Sequence, residues 1–246
     1  MLTAVFADIH ANREAFAASL ADARRRGAER LVFLGDLVGY GADPDWVCDQ
    51  VMEACAAGAL ALRGNHDSAI AETAPDMNAD AMRAIVWTRT RLDAGQTAFL
   101  AGLPLEIVDG DTLFVHANAW APESWGYIRS PMDAERSLRS TTHRLTLCGH
   151  THVPALYHMA PLRPPGRHEP TANAMIPLAT TRRWLAVLGA VGQPRDGNPA
   201  ACYGLLRNAP AELTYVRVPY DVDTAARKIL AAGLPEGLAA RLAKGR

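Results

Sequence analysis

Five short polar motifs, each placed directly after an apolar run, constrain the fold of this chain more than any other feature. The runs at 2–7, 30–35, 59–63, 105–116 and 144–149 predict short buried strands. Because the carboxyl ends of the strands in an open α/β sheet share one edge, we expect the motifs to meet in one crevice. The motifs are Asp8-Ile9-His10, Gly35-Asp36, Gly64-Asn65-His66-Asp67, His116 and Gly149-His150-Thr151-His152.

The first three strands alternate with two helical patterns. Residues 12–26 form an amphipathic pattern, and a helix over 43–57 is predicted with Asp43 as N-cap and Pro44 at the first helical position. Parallel strands need such crossover connections, and these are right-handed in almost all proteins. The order β-α-β-α-β therefore predicts a parallel sheet covered by helices.

The second half of the chain reads differently. Helical patterns at 78–92 and 94–101 precede a hairpin whose turn is Asp109-Gly110, and 160–173, rich in Pro and Arg, reads as an exposed loop. The C-terminal segment 222–246 is helical, with a break at Gly233 and Pro235. We expect one α/β domain over 1–246 with a mixed (α+β) core of two sheets and helices outside. The β-like runs after 153 are 155–159, 174–179, 184–188, 202–207 and 212–219.

Charge and cysteine usage exclude several function classes. The 25 Lys and Arg residues against 26 Asp and Glu give a net charge of -1, which disfavours an extensive nucleic-acid surface. A small anionic substrate remains compatible, since a bound cation supplies a local positive field. The four cysteines lack CxxC spacing, so free thiols are expected. No stretch approaches the ~20 apolar residues of a membrane span, and no leader is evident, so we expect a cytoplasmic protein without a membrane partner.

The polar motifs carry the donor atoms of a metal site. Residues i and i+2 of an extended chain point to one side, which would pair Asp8 with His10 and His150 with His152. Imidazole suits Zn, Mn, Fe, Co or Ni, and carboxylate and amide oxygens add hard-ligand character. Seven ligands are many for one ion, whereas two ions sharing a carboxylate use them economically. Taken singly, an Asp or His at a strand end is more often a cap. The candidate ligands are Asp8, His10, Asp36, Asn65, His116, His150 and His152.

The ordered set of motifs resembles the calcineurin-like metallophosphoesterase superfamily. Within this superfamily, the chain is similar to the small bacterial and archaeal phosphodiesterase branch, which itself resembles diadenosine tetraphosphate hydrolases. The similar segments are DIHANREA, LGDLVGYGADP, RGNHDSA, VGQPRDGNP and RVPYDVDTAARKILAAGLP. The similarity extends from Asp8 to about Pro235. It implies a four-layer α-β-β-α sandwich with two mixed sheets, and a dinuclear metal centre.

The resemblance also assigns roles to individual residues. It places Asp8, His10, Asp36 and His152 on one metal ion. The other ion takes Asn65, His116 and His150, with Asp36 as the bridge, and the family pattern implies a metal-bridging hydroxide that attacks phosphorus.

Two further residues receive roles beside the metals. His66 corresponds to the family histidine near the leaving group, although a hydrogen bond to a ligand is an alternative role. Arg63 is implied in substrate binding, although it could instead pair with Asp67 or another carboxylate.

Two departures limit what the resemblance implies. In the protein-phosphatase branch, an acid three residues after the bridging Asp orients the catalytic histidine, and here that position is Gly39. The branch often has Asn-Pro before the equivalent of Gly189, where this chain has Val187-Leu188. The group that orients His66 is therefore unassigned, and contacts from that loop to substrate are not implied.

The sequence thus predicts a metal-dependent phosphoesterase acting on phosphodiester or phosphoanhydride bonds of a nucleotide-like small molecule. Mn²⁺ is the expected cofactor, with Fe, Ni, Co or Zn as alternatives. A serine/threonine protein phosphatase and a binding scaffold without activity are the competing functions. The aromatic segment 117–131 could form a lid, stack on a base or seal a loop onto the core, and the loops 68–78 and 160–173 are expected at the pocket. Exposed β-runs near the C-terminus leave a homo-oligomer open.

Overall fold

The computed structural model describes residues 1–72, 77–161 and 163–246. The first sheet has the strand order β3-β2-β1-β11-β12-β9, and the second has the order β4-β5-β6-β10-β7-β8. In the first sheet β1, β2 and β3 are parallel, as predicted, whereas β11 joins β1 antiparallel. The strands are β1 Leu2–Phe6, β2 Arg30–Phe33, β3 Leu60–Ala61, β4 Glu106–Asp109, β5 Thr112–Val115, β6 Leu145–Cys148, β7 Ala155–Met159, β8 Gly166–His168, β9 Met175–Pro177, β10 Arg183–Val187, β11 Ala201–Asn208 and β12 Ala211–Val218.

Helices cover the outer faces of both sheets. Alternate residues of β1 face opposite ways: Phe6 packs toward the helices and Val5 toward the second sheet. The structure therefore confirms the four-layer sandwich with two mixed sheets, because one buried cluster lies between the sheets and others lie beneath the helices. The helices of the described residues are α1 Arg13–Arg25, α2 Pro44–Ala56, α3 Asn65–Ala71, α4 Ala79–Arg89, α5 Ala94–Gly102, α6 Pro131–Arg139, α7 Val222–Ala231 and α8 Glu236–Lys244, with a 3-10 turn at Pro122–Ser124.

Three elements are absent from the sequence prediction. The helix α3 begins at the candidate ligand Asn65, directly after the strand that was expected to end there. The helix α6 begins with a capping box between Ser130 and Asp133. Within the expected loop 160–173, β8 pairs with β7. These elements are short, and tertiary packing rather than periodicity stabilises them.

The C-terminal helices complete the wall beside the strand ends. Ile229 and Leu238 share a buried cluster with Ala81 and Tyr40, which ties α7 and α8 to the first half of the chain. This packing supports our proposal that 1–246 forms one domain. None of the helices in the described ranges combines the length and apolar character needed to cross a bilayer.

Candidate metal centre

The seven candidate ligands lie together at the strand ends. The structure groups Asp8, His10, Asp36 and His152 so that one donor atom of each is within 4.8 Å of the others. Asp36, His116 and His150 form a second group under the same criterion. Asp36 thus belongs to both groups, which matches the bridging position that the resemblance implied.

Left-handed backbone conformations present these side chains. Asp8, His10, Asp36, His150 and His152 all have positive φ, between 49° and 62°. Such conformations are costly outside glycine and cluster at functional sites. The expected extended pairing is therefore wrong in its geometry. The chain leaves each strand in a tight turn, and His150 and His152 contribute to different groups.

Two histidines of the first group face each other through nitrogens that both lack a proton. His10 Nδ1 lies 3.2 Å from Val38 O and His152 Nδ1 lies 2.6 Å from Gln193 O, and a carbonyl oxygen only accepts. Each Nδ1 therefore carries the hydrogen, and the two Nε2 lone pairs face each other at 3.1 Å. Burial also lowers the pKa of both imidazoles, so neither supplies a proton to bridge them.

The second group brings Asn65, His116 and His150 together. His116 Nδ1 donates to Leu34 O at 2.7 Å, and its Nε2 lies 3.1 Å from His150 Nδ1 and 3.3 Å from Asn65 Oδ1. Burial alone would lower the pKa of His116, but the Asp36 carboxylate raises it to about 9. The other ring nitrogen of His150 is buried with no hydrogen-bond partner among the described residues. Three potential metal-ligating atoms therefore lie close together.

Asp36 connects the two groups through one oxygen. Its Oδ2 is 3.7 Å from His10 Nε2 and 3.5 Å from His116 Nε2, while its Oδ1 accepts from the His66 amide at 2.8 Å. Burial favours the neutral carboxyl, but His116 holds the pKa of Asp36 well below its usual value. At Asp8 burial outweighs the opposing charge of His116, and the pKa of this carboxyl rises to about 8. These buried carboxylates and imidazoles fit divalent cations, which would neutralise the carboxylates and occupy the facing lone pairs.

His66 sits beside this cluster and is held by packing. Its ring lies edge-on to Tyr40, with centroids 4.4 Å apart, and to His10 at 4.8 Å. A Cβ built at Gly39 would stand 2.3 Å from His66 Nδ1, and Gly39 has φ of +86°. Glycine at this position thus makes room for the imidazole where the protein-phosphatase branch has an acid. Burial lowers the pKa of His66, and the Asp36 carboxylate opposes that shift.

The structure does not bring Arg63 to this cluster. Its Nη1 donates to Ala101 O at 3.2 Å and lies 3.4 Å from Glu72, which matches the alternative of a pair with another carboxylate. Asp67 instead accepts from the backbone amides of Leu37, Val38 and Gly64. Arg195, to which the sequence assigned no role, lines the small cavity beside the cluster.

Arg195 is held on two sides at the mouth of that cavity. Its amide donates to His152 O at 3.2 Å, and its Nη2 lies 3.1 Å from Gln193 Oε1 and 3.4 Å from Tyr40 Oη. The cavity measures about 70 Å³. Arg195 belongs to the segment VGQPRDGNP, which contributes to the family resemblance. That segment was the sequence feature that could have identified Arg195, although no role was assigned to it.

The aromatic segment 117–131 packs onto the ligand histidines. Tyr127 stacks on His150 with ring centroids 4.2 Å apart, and the guanidinium carbon of Arg129 lies 3.9 Å from the centroid of the Tyr127 ring. Trp125 meets His116 edge-on at 5.8 Å. The segment thus packs beside the second group, and Tyr127 also lines the cavity. The loop expected at 68–78 lies partly outside the described residues, but Met77 and Asn78 do line the cavity, whereas 160–173 lies elsewhere.

Comparisons with known proteins agree with this arrangement. Residues 1–208 match the model of the calcineurin-like phosphoesterase superfamily domain. An uncharacterised protein of Methanocaldococcus jannaschii is 32% identical, with 100% of this chain and 98% of that protein covered.

Solved structures show the same fold over the whole chain. A metallophosphoesterase from Sphaerobacter thermophilus is 33% identical, with a TM-score of 0.88 and 100% of this chain and 99% of that chain covered. A hypothetical protein of Pyrococcus horikoshii OT3 is 18% identical, with a TM-score of 0.81 and coverage of 100% and 98%. At that identity, the second likeness concerns the fold alone.

Proposed function

The chain belongs to the calcineurin-like phosphoesterase superfamily, and we propose that it hydrolyses phosphodiester or phosphoanhydride bonds of a small nucleotide-like molecule with two divalent cations. The observation that carries the proposal is the pair of facing Nε2 atoms of His10 and His152 beside Asp36, which a divalent cation would satisfy. Two cations held there would offset charge on the phosphoryl oxygens and acidify a water molecule.

Each of the two cations would have its own set of ligands. We assign Asp8, His10, Asp36 and His152 to one cation, and Asp36, Asn65, His116 and His150 to the other. The backbone carbonyls that accept from the Nδ1 atoms of His10, His116 and His152 hold these imidazoles in the ligating tautomer. The left-handed turns hold the donors in place before a cation arrives.

We propose that His66 and Arg195 act on the substrate. Both line the same cavity, His66 beside Asp36 and Arg195 at the mouth. Arg195 has the fork of donors that a phosphate oxygen pair accepts, and it is only half-buried, so a substrate can reach it. His66 would donate a hydrogen bond toward the leaving oxygen.

Two features of the cleft bear on the choice of substrate. The cavity of about 70 Å³ beside Tyr40, Tyr127 and Arg195 accommodates the phosphoryl group, and the rest of the substrate would lie toward its open side. Gly39 also removes the acid that orients the histidine in the protein-phosphatase branch. Small, flexible phosphoesters are therefore our proposed substrates.

A metal and substrate panel tests this proposal. The chelated protein should lose turnover of phosphodiester and dinucleoside polyphosphate substrates, and Mn²⁺, Fe²⁺, Co²⁺, Ni²⁺ or Zn²⁺ should restore it. Turnover that persists in excess chelator would contradict the metal centre. Faster hydrolysis of phosphopeptides than of any small ester would favour the protein-phosphatase reading, and two bound ions without hydrolysis would favour the scaffold.

A further inference from the structure

A second cavity, of about 620 Å³, lies at the end of the second sheet opposite the metal centre. Arg144 and Arg183, which precede β6 and begin β10, line this cavity together with Met159 at the end of β7. His150 follows the other end of β6. Because a strand rises about 3.3 Å per residue, the four residues of β6 alone separate the two sites by about 13 Å.

The lining of this cavity is strongly cationic. One glutamate, Glu135, accompanies the arginines, so the lining has an excess of four positive charges in a chain whose net charge is -1. We call this cavity the arginine pocket. Its five arginines are Arg139, Arg144, Arg163, Arg182 and Arg183.

Two of these arginines already have carboxylate partners. Arg139 Nη2 lies 2.6 Å from Glu135, and Arg144 Nε lies 3.0 Å from Asp111. The pairing of Arg144 is incomplete, because its Nη1 is buried with no hydrogen-bond partner among the described residues. A buried guanidinium nitrogen of this kind requires a hydrogen-bond acceptor, and the described residues do not provide one.

The other three arginines form no ion pair with a described carboxylate. Arg183 donates to the backbone oxygens of Thr141 and His143, and the nearby Asp111 carboxylate, which pairs with Arg144, acts on it only at longer range. Arg182 lies over the ring of Trp184 at 6.0 Å. Arg163 lies in the loop between β7 and β8. Three arginines without a direct ion pair around one concave space attract a polyanion more strongly than scattered surface charges do.

The remaining lining suits an organic ligand. Prolines at 161, 164 and 165 and Met159 supply apolar surface, and Thr180 and Thr181 contribute polar side chains. The volume lies within the range of about 300–1,000 Å³ that is typical of small-molecule sites. Because the cavity is open on one side, a small molecule held there would keep part of its surface in water.

We propose that the arginine pocket binds a phosphorylated small molecule of nucleotide size, at a site separate from the metal centre. Its phosphates would contact Arg144 Nη1 and the guanidinium groups of Arg163, Arg182 and Arg183, since planar forks match phosphate oxygens. Its ring would lie on the apolar surface of the prolines. This site does not depend on the proposed hydrolase activity.

ATP binding to the full chain tests the site. Titration calorimetry in excess chelator, which removes the cations of the metal centre, should give about one ATP per chain and no binding of adenosine. The double variant Arg163→Gln/Arg182→Gln should weaken ATP binding by about tenfold or more, because two charge-assisted contacts are lost.

A matched double variant provides the control. Arg91→Gln/Arg227→Gln also removes two exposed arginines without ion-pair partners, and Arg91 lies over Trp87 at 5.8 Å as Arg182 does over Trp184. It should bind ATP like the parent chain, and both double variants should retain phosphoester hydrolysis. Equal ATP affinity in both double variants, or none in the parent chain, would overturn the proposal.

A conservative variant keeps the test valid if the first double variant melts at a lower temperature. Arg182→Lys retains the charge but loses the planar fork, so it should weaken ATP binding measurably at an unchanged melting temperature. Undiminished binding by Arg182→Lys would contradict the assigned contacts. Hydrolysis by the metal centre is measured separately, so loss of one proposal leaves the other standing.

Discussion

The floor and the rim of the cleft are built in different ways. The floor consists of the seven candidate ligands, and its loops are connected by backbone hydrogen bonds such as His10 N to Asp36 O at 2.9 Å and Gly149 N to His116 O at 2.9 Å. The rim consists of Tyr40, Tyr127 and Arg195, and Tyr127 is 39% exposed. We therefore expect the floor to hold a fixed geometry for the proposed reaction, and the rim to contact the substrate and set its choice.

The largest expected effect concerns the floor. Asp36→Asn keeps the shape of the side chain but removes the charge that both groups share, so turnover should fall below about a thousandth of the parent value and metal content should fall with it. Elemental analysis together with hydrolysis rates measures both. Asp223→Asn, an exposed change on α7, should alter neither. Full metal content in Asp36→Asn would argue against the bridging role.

His66→Ala separates chemistry from metal binding within the cleft. We expect kcat to fall by about 10²–10⁴-fold, because a positioned acid or hydrogen-bond donor is lost, while metal content stays unchanged. His168→Ala, at an exposed site, should have no effect. Loss of metal in His66→Ala would make the residue a support of the ligands and not a group that contacts substrate.

Gly39→Ala tests whether packing positions His66. The added Cβ would overlap the imidazole and adopt positive φ, so kcat should fall by about 10–100-fold, and the free energy of unfolding should fall by about 1–3 kcal/mol. Gly27 has φ of +79° with nothing within 4 Å of a built Cβ. Gly27→Ala should therefore lower the free energy of unfolding, measured by denaturant titration, and leave kcat unchanged. Normal kcat in Gly39→Ala would contradict the packing account.

The smallest effect is expected at the rim. Arg195→Gln should raise KM by about tenfold and change kcat less, because it removes a charged contact to the substrate phosphate but no ligand. Arg63→Gln should leave both constants unchanged, since Arg63 contacts Ala101 and Glu72. Steady-state kinetics on one phosphodiester measures kcat and KM for both variants. A raised KM in Arg63→Gln with an unchanged KM in Arg195→Gln would support the substrate-binding role that the resemblance implied for Arg63.

Much of the fold was predictable because local pattern and packing agree there. The parallel order of β1, β2 and β3 followed from alternating strand and helix signals, and Asn12 at the start of the predicted pattern 12–26 caps α1, with Ala15 N donating to its side chain. The elements that the prediction missed, α3, α6 and β8, have seven, nine and three residues. Segments of that length show little periodicity, so their stability depends on tertiary contacts.

By itself, the sequence determined the reaction class of the site. Donor type indicates a metal site, and the resemblance carried by the ordered motifs implies phosphoester hydrolysis; the strand ends that carry these donors belong to both sheets. The tertiary structure decided which neighbouring side chains reach those strand ends. Arg63 adjoins the motif in sequence but turns toward Ala101, 38 positions away, whereas Arg195 reaches the cavity from a segment 155 positions beyond Tyr40. Side-chain direction depends on partners distant in sequence, and no local pattern records them.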